Sequence, residues 1–141
     1  MKITGLQCAI LGNHPILRIS TDEGISGYSQ IEASKADYIK SHVLFYESRI
    51  LGQDPTDVER VMQRIRRLAS FKPWGSAVSA IEMSLWDIAG KHYDVPAYKL
   101  LGGAVLEEEP RDAELEVADR AVAHLEHHLG EELRREQGGA G

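Results

Sequence analysis

The sequence predicts an α+β fold in which a three-stranded antiparallel meander is followed by a helical bundle, with a charged helix at the C-terminal end. Three observations carry this reading. Short β-rich runs separated by turn-forming residues fill the first third, apolar residues at helical spacing fill the middle, and the last 38 residues change composition abruptly. At 141 residues, with a formal net charge of -6 and 43% hydrophobic residues, the chain is an ordinary globular protein with room for one core. That length is too short for a (β/α)8 barrel, which needs about 250 residues.

The first strand is expected over residues 2–11. Gly12-Asn13-His14-Pro15 supplies a turn, residues 16–20 a second strand carrying Ile16, Leu17 and Ile19, and Asp22-Glu23-Gly24 a second turn before a third strand at 25–31. Three strands are barely stable alone, so helices must cover one face of the sheet. Residues 34–51 read as one helix, with Ser34 or Ala36-Asp37 at its start, a stripe of Ile39, Val43, Leu44 and Ile50, and Gly52 as its stop. Asp54-Pro55-Thr56-Asp57 opens a second helix, in which Val58, Val61, Met62, Ile65 and Leu68 make the buried stripe. Residues 70–75 form a loop. Ser76 starts a third helix, to about Tyr93, whose apolar residues lie almost all round and place it mid-bundle or at an interface.

Several function classes recede at this level. The lone Cys8 cannot form an internal disulfide and reads as a small buried hydrophobe, the N-terminus reads as a strand rather than a secretion signal, and a cytoplasmic location follows. No apolar run reaches the ~18 residues that span a bilayer, and the acidic balance disfavours nucleic acid or an anionic membrane as partner. Arg64, Arg66 and Arg67 read as a solvated helix face rather than a phosphate site.

The third helix is where the residues become specific. The run Ser79-Ala80-Ile81-Glu82-Met83-Ser84-Leu85-Trp86-Asp87-Ile88-Ala89-Gly90-Lys91, followed by Val95-Pro96-Ala97-Tyr98-Lys99-Leu100-Leu101-Gly102-Gly103, resembles the signature of the mandelate racemase and muconate lactonizing enzyme family of the enolase superfamily. The meander, the stretch from Gly24 to Ala33 and the Gly52-Gln53-Asp54-Pro55 run are similar to that family as well, so the resemblance covers residues 1–103. The signature reads as scaffolding. Asp87 and Lys91 can pair at i,i+4, Gly90 admits a neighbouring backbone, Trp86 fills an apolar contact, and Leu100-Leu101 anchors a return turn before Gly102-Gly103.

The resemblance implies an N-terminal capping domain without its catalytic barrel, and therefore a chain that catalyses nothing alone. The family removes a proton alpha to a carboxylate and stabilises the enediolate with magnesium, through bases and acidic ligands that all lie on barrel strands. This chain is thus expected to carry no cofactor of its own, with Mg2+ belonging to a full-length member. What the capping domain contributes by resemblance is a pair of substrate-covering loops, here at 11–15 and 27–34. His14, Gln30 and Glu32 are the substrate-loop candidates, and Lys72 and Trp74 the candidates for the join to a barrel. The first loop is short for the family, so it reaches less far over a substrate.

From Ala104 onward the family pattern stops, and isoleucine, lysine, serine, threonine and all aromatics vanish. Every remaining residue type can be encoded by codons beginning with G or C, which suggests another reading frame, a fusion, a misplaced gene end or a real acidic helix. Read as a helix, 112–135 places Leu115, Ala118, Val122, Leu125, Leu129 and Leu133 on one stripe, and 137–141 should be disordered. His124 and His128 share a face where a metal could bridge them, but no third ligand is fixed beside them. Two functions follow: a detached or truncated lid of an acid-sugar dehydratase or isomerase, partnered by a barrel in trans, or an interaction module forming homo-oligomers through the third-helix face and the tail.

Overall fold

The computed structural model describes residues 1–67 and 75–104, together with residues 123, 126, 127, 130 and 131. It divides into two compact units, Met1–Gly103 and Ala104–Gly141. In the second unit the described residues Ala123, Glu126, His127, Gly130 and Glu131 are helical. The expected tail stripe, the disordered end, His124 and His128 lie outside the described residues.

The first unit begins with β1 (Ile3–Leu11), β2 (His14–Thr21) and β3 (Ser26–Gln30), antiparallel neighbours in the order β1-β2-β3. Alternation sets which face is buried. On β2, Pro15, Leu17, Ile19 and Thr21 are buried while the residues between them are half-exposed, so the odd positions meet the helices. Leu17 stands opposite Cys8 on one side and Ser29 on the other, which puts Cys8 in the core as a small apolar residue.

Strand boundaries differ from the sequence reading, most consequentially at the first turn and in the third strand. The first turn is only Gly12-Asn13, since Leu11 already pairs with His14; Gly12 takes φ 61° and Asn13 does not take a positive φ, as a type II′ turn requires. His14 and Pro15 therefore belong to β2, where Pro15 needs no ladder donor near the strand start. The third strand is Ser26–Gln30, one residue shorter at each end than 25–31, and the pairing of Gly27 to Gln30 with β2 makes them strand rather than part of the loop expected at 27–34.

The single helix expected at 34–51 is instead a 3₁₀ turn (Ala33–Lys35), α1 (Ala36–Leu44) and α2 (Glu47–Ile50). The Tyr46 N–H turns to Val43 O rather than continuing the α pattern, a tightening that leaves Phe45 exposed and buries Tyr46. Then come α3 (Val58–Arg66), α4 (Ser76–Tyr93) and a single turn, α5 (Ala97–Leu100). Val58, Val61, Met62 and Ile65 of α3 are buried as their spacing predicts, and Leu68 lies outside the described residues. In α4, Val78, Ile81, Leu85 and Ile88 are buried against the sheet and α3, whereas Met83 and Tyr93 are exposed, so its apolar wrap is incomplete. Leu100 packs against the core but Leu101 is exposed, so only the former anchors the return turn. Arg66 is not simply solvated: its guanidinium bonds Glu59 at 3.0 Å and Glu82 at 3.1 Å, tying α3 to α4.

Glycine is required where α4 meets its neighbours. A Cβ on Gly27 would lie 2.0 Å from Ser84 O, so β3 and α4 approach as only glycine allows. A Cβ on Gly90 would lie 2.8 Å from Val95 O, where the chain folds back after the helix. That return is a left-handed cap: Asp94 takes φ 55° and the Val95 N–H donates to Gly90 O at 3.0 Å.

Candidate functional site

The residues nominated as substrate contacts lie at one end of the sheet, where β2 begins and β3 ends. Register places Ile16 opposite Gln30, so His14, two residues earlier on the same face of β2, sits beside the end of β3. Gln30 Nε2 and His14 Nδ1 are 3.0 Å apart, both exposed, with the imidazole as acceptor when the amide donates. The Ile31 N–H donates to Pro15 O at 2.8 Å, extending the pairing by one bond and fixing where the chain leaves the sheet.

Glu32 follows at that exit. Its Oε2 lies 3.1 Å from Lys35 Nζ, and the same ammonium donates a hydrogen bond to Ser76 Oγ at the start of α4. Gln30, Glu32, Lys35, Ser76, Ser79 and Met83 line an open groove of about 410 Å³. The groove mixes an amide, a carboxylate, an ammonium and two hydroxyls, a donor and acceptor set suited to a hydroxylated, charged small molecule. Lys35, Ser76 and Ser79 were missed by sequence reasoning. The i,i+3 spacing of Glu32 and Lys35 was the one local signal; the meeting of Lys35 with Ser76 spans 41 residues and needs the fold.

Behind the groove, β3 is fastened to α4 by buried hydroxyls. Ser29 Oγ donates to Ala80 O at 2.8 Å and Ser84 Oγ donates to Ser29 Oγ at 2.9 Å. Asp87 Oδ2 lies 2.7 Å from Lys91 Nζ and also accepts the Tyr28 N–H at 2.9 Å. Trp86 is half-buried, packs on the core and lines a separate hollow with Thr56 to Arg60 on α3 and the turn before it. Lys72 and Trp74 lie outside the described residues.

The profile of the mandelate racemase / muconate lactonizing enzyme N-terminal domain matches residues 9–102. The chain belongs to this family. It is 34% identical over 110 residues to a D-galactonate dehydratase of Variovorax paradoxus, covering 74% of this chain and 29% of that one. Its fold is similar to a mandelate racemase/muconate lactonizing enzyme-like protein of Rubrobacter xylanophilus, with 37% identity and TM-score 0.63 over 74% of this chain and 28% of the other. It is similar also to the 3,6-anhydro-D-galactonate cycloisomerase of Zobellia galactanivorans, with 29% identity and TM-score 0.63 over 74% and 33% of the two chains. The chain thus covers only the N-terminal domain of enolase-superfamily acid-sugar enzymes, and spans less than a third of the D-galactonate dehydratase.

The enolase superfamily is magnesium-dependent. Among the described residues no three His, Cys, Asp or Glu side chains come together as metal ligands, so those residues do not fit a Mg2+ site. Nor, among them, is any helix long and apolar enough to cross a membrane.

Proposed function

We propose that residues 1–103 form the substrate-covering lid of an acid-sugar dehydratase or related isomerase of the enolase superfamily, working in the cytoplasm against a (β/α)8 barrel that supplies the Mg2+ site and the proton-transferring bases. The lid itself carries out no chemistry, and residues 104–141 are a separate acidic appendage. The observation that carries this reading is the contact of His14 with Gln30, beside the groove that holds Glu32. It joins the start of β2 to the end of β3 at one end of the sheet, where polar side chains can meet a substrate's hydroxyls while a barrel holds its carboxylate.

The experiment replaces the N-terminal domain of the Variovorax paradoxus D-galactonate dehydratase with residues 1–103 and measures dehydration across a panel of aldonic and aldaric acids. An active chimera in which H14A and Q30A raise KM by about tenfold, with kcat less affected, is expected, because uniform substrate binding would be lost. Unchanged KM values in an active, folded chimera would remove these residues from the substrate.

A further inference from the structure

We propose that Asp87 and Lys91 are a side-chain cap on the open edge of β3, standing in for a fourth strand and preventing that edge from pairing with a second copy of this chain. Among the described residues, in the order β1-β2-β3, β3 has a strand neighbour, β2, on one side only. Tyr28 and Ser26 have the same parity along β3, opposite Arg18 and Ser20, and both direct main-chain groups away from β2. Those outward groups are the ones α4 meets. The Tyr28 N–H donates to Asp87 Oδ2 at 2.9 Å, and Lys91 Nζ donates to Ser26 O at 2.8 Å. One acceptor and one donor thus offer the edge what a neighbouring strand would offer.

The spacings explain why an i,i+4 pair performs this task. Two residues along an antiparallel strand advance about 6.8 Å, and four residues along a helix about 6 Å, so side chains one helical turn apart meet alternate residues of a strand lying beside them. The ion pair at 2.7 Å between Asp87 and Lys91 locks the two together, and the ammonium lies 5.1 Å from the centre of the Tyr28 ring. Gly27 completes the arrangement by letting the strand come close enough to α4 for both contacts. An uncapped edge strand is a template for association, and charged side chains at an edge are a common means of blocking it.

The test compares the full chain with D87A/K91A, and with D87A/K91A carrying Tyr28→Pro, by sedimentation velocity over a range of concentrations. Removing the cap is expected to add an association step that about doubles the sedimenting mass relative to wild type, as a symmetric pairing of two edges would. Proline at Tyr28 is expected to restore the wild-type mass, since it deletes the outward donor without taking a bond from the β2–β3 ladder. A folded D87A/K91A chain with the wild-type mass, or an association that survives Tyr28→Pro, overturns the proposal. Should D87A/K91A fail to fold, K91M decides: it keeps the Asp87 acceptor for Tyr28 but removes the donor that meets Ser26 O. Increased association of K91M supports the cap, and unchanged mass refutes it.

Discussion

Ser84 Oγ donates a 2.9 Å hydrogen bond to Ser29 Oγ in the seam between α4 and β3, and both residues are buried. Ser29 passes its own proton on to Ala80 O, so three polar groups are satisfied by a chain that starts on the helix and ends on it. Replacing Ser29 with alanine takes a side-chain donor from the Ala80 carbonyl and strands the Ser84 hydroxyl. The expected loss is about 2 kcal/mol in urea unfolding, because a buried polar group without a partner costs its desolvation. S29A/S84A should lose less than the sum of the two single variants, since the second alanine removes the stranded group. Additive losses would show that the two hydroxyls act separately.

Gly27→Ala is expected to cost more, about 3 kcal/mol, because the new methyl collides with the backbone of α4 rather than with a movable side-chain end. Gly5 provides the control. A Cβ there meets nothing within 4 Å, so Gly5→Ala should be neutral or stabilise by about 0.5 kcal/mol through the unfolded state. Thermal melts of the two variants side by side check both directions.

Asp94 occupies the left-handed region at φ 55° where α4 ends, a position in which glycine avoids a steric cost of roughly 1 kcal/mol. Asp94→Gly should therefore raise the melting temperature. A lowered one would reveal a contribution of the Asp94 side chain larger than the backbone strain it tolerates.

Two groups link stability to pH in opposite directions. The Met1 ammonium is held above its ordinary value of 8.0 by its hydrogen bond to Glu23, 3.1 Å away, which outweighs its partial loss of hydration, with help from the charges of Glu23, Asp54 and Asp22. Its stabilising effect is complete below pH 8 and is lost as pH rises through the raised value. Asp54 is held below its ordinary 3.8 chiefly by the Thr56 hydroxyl at 2.7 Å, with the Thr56 N–H at 3.0 Å adding to it. Its effect is complete above pH 4 and is lost as pH falls through the lowered value. Both groups are solvent-screened, so the slopes are expected to be shallow. E23Q should flatten the alkaline limb of a melting-temperature profile alone, and T56A the acid limb alone.

Much of this was legible in the sequence for simple reasons. Leu17 and Ile19 alternating with Arg18 and Ser20 mark the buried face of β2, and Val58, Val61, Met62 and Ile65 announce α3. The break between α1 and α2 was hidden, because Ile39, Val43, Tyr46 and Ile50 keep a helical rhythm straight through it. A tightened turn rotates the chain without disturbing that spacing. The site was half legible: His14 and Gln30 could be nominated from loop position, but their contact depends on the register of β2 with β3. Lys35 and Ser76 lie 41 residues apart, and no local pattern joins them.

The two-residue connection Gly12-Asn13 is as short as an antiparallel pair commonly uses. A minimal hairpin beside the candidate substrate groove is also the easiest part of the fold to rebuild. It carries no core side chain, and each doubling of a flexible loop costs only about 0.6 kcal/mol in closure entropy. New residues could be spliced in at this tip while the strands and α4 stay as they are. New contacts to whatever occupies the groove could thus evolve by insertion, with the scaffold inherited unchanged.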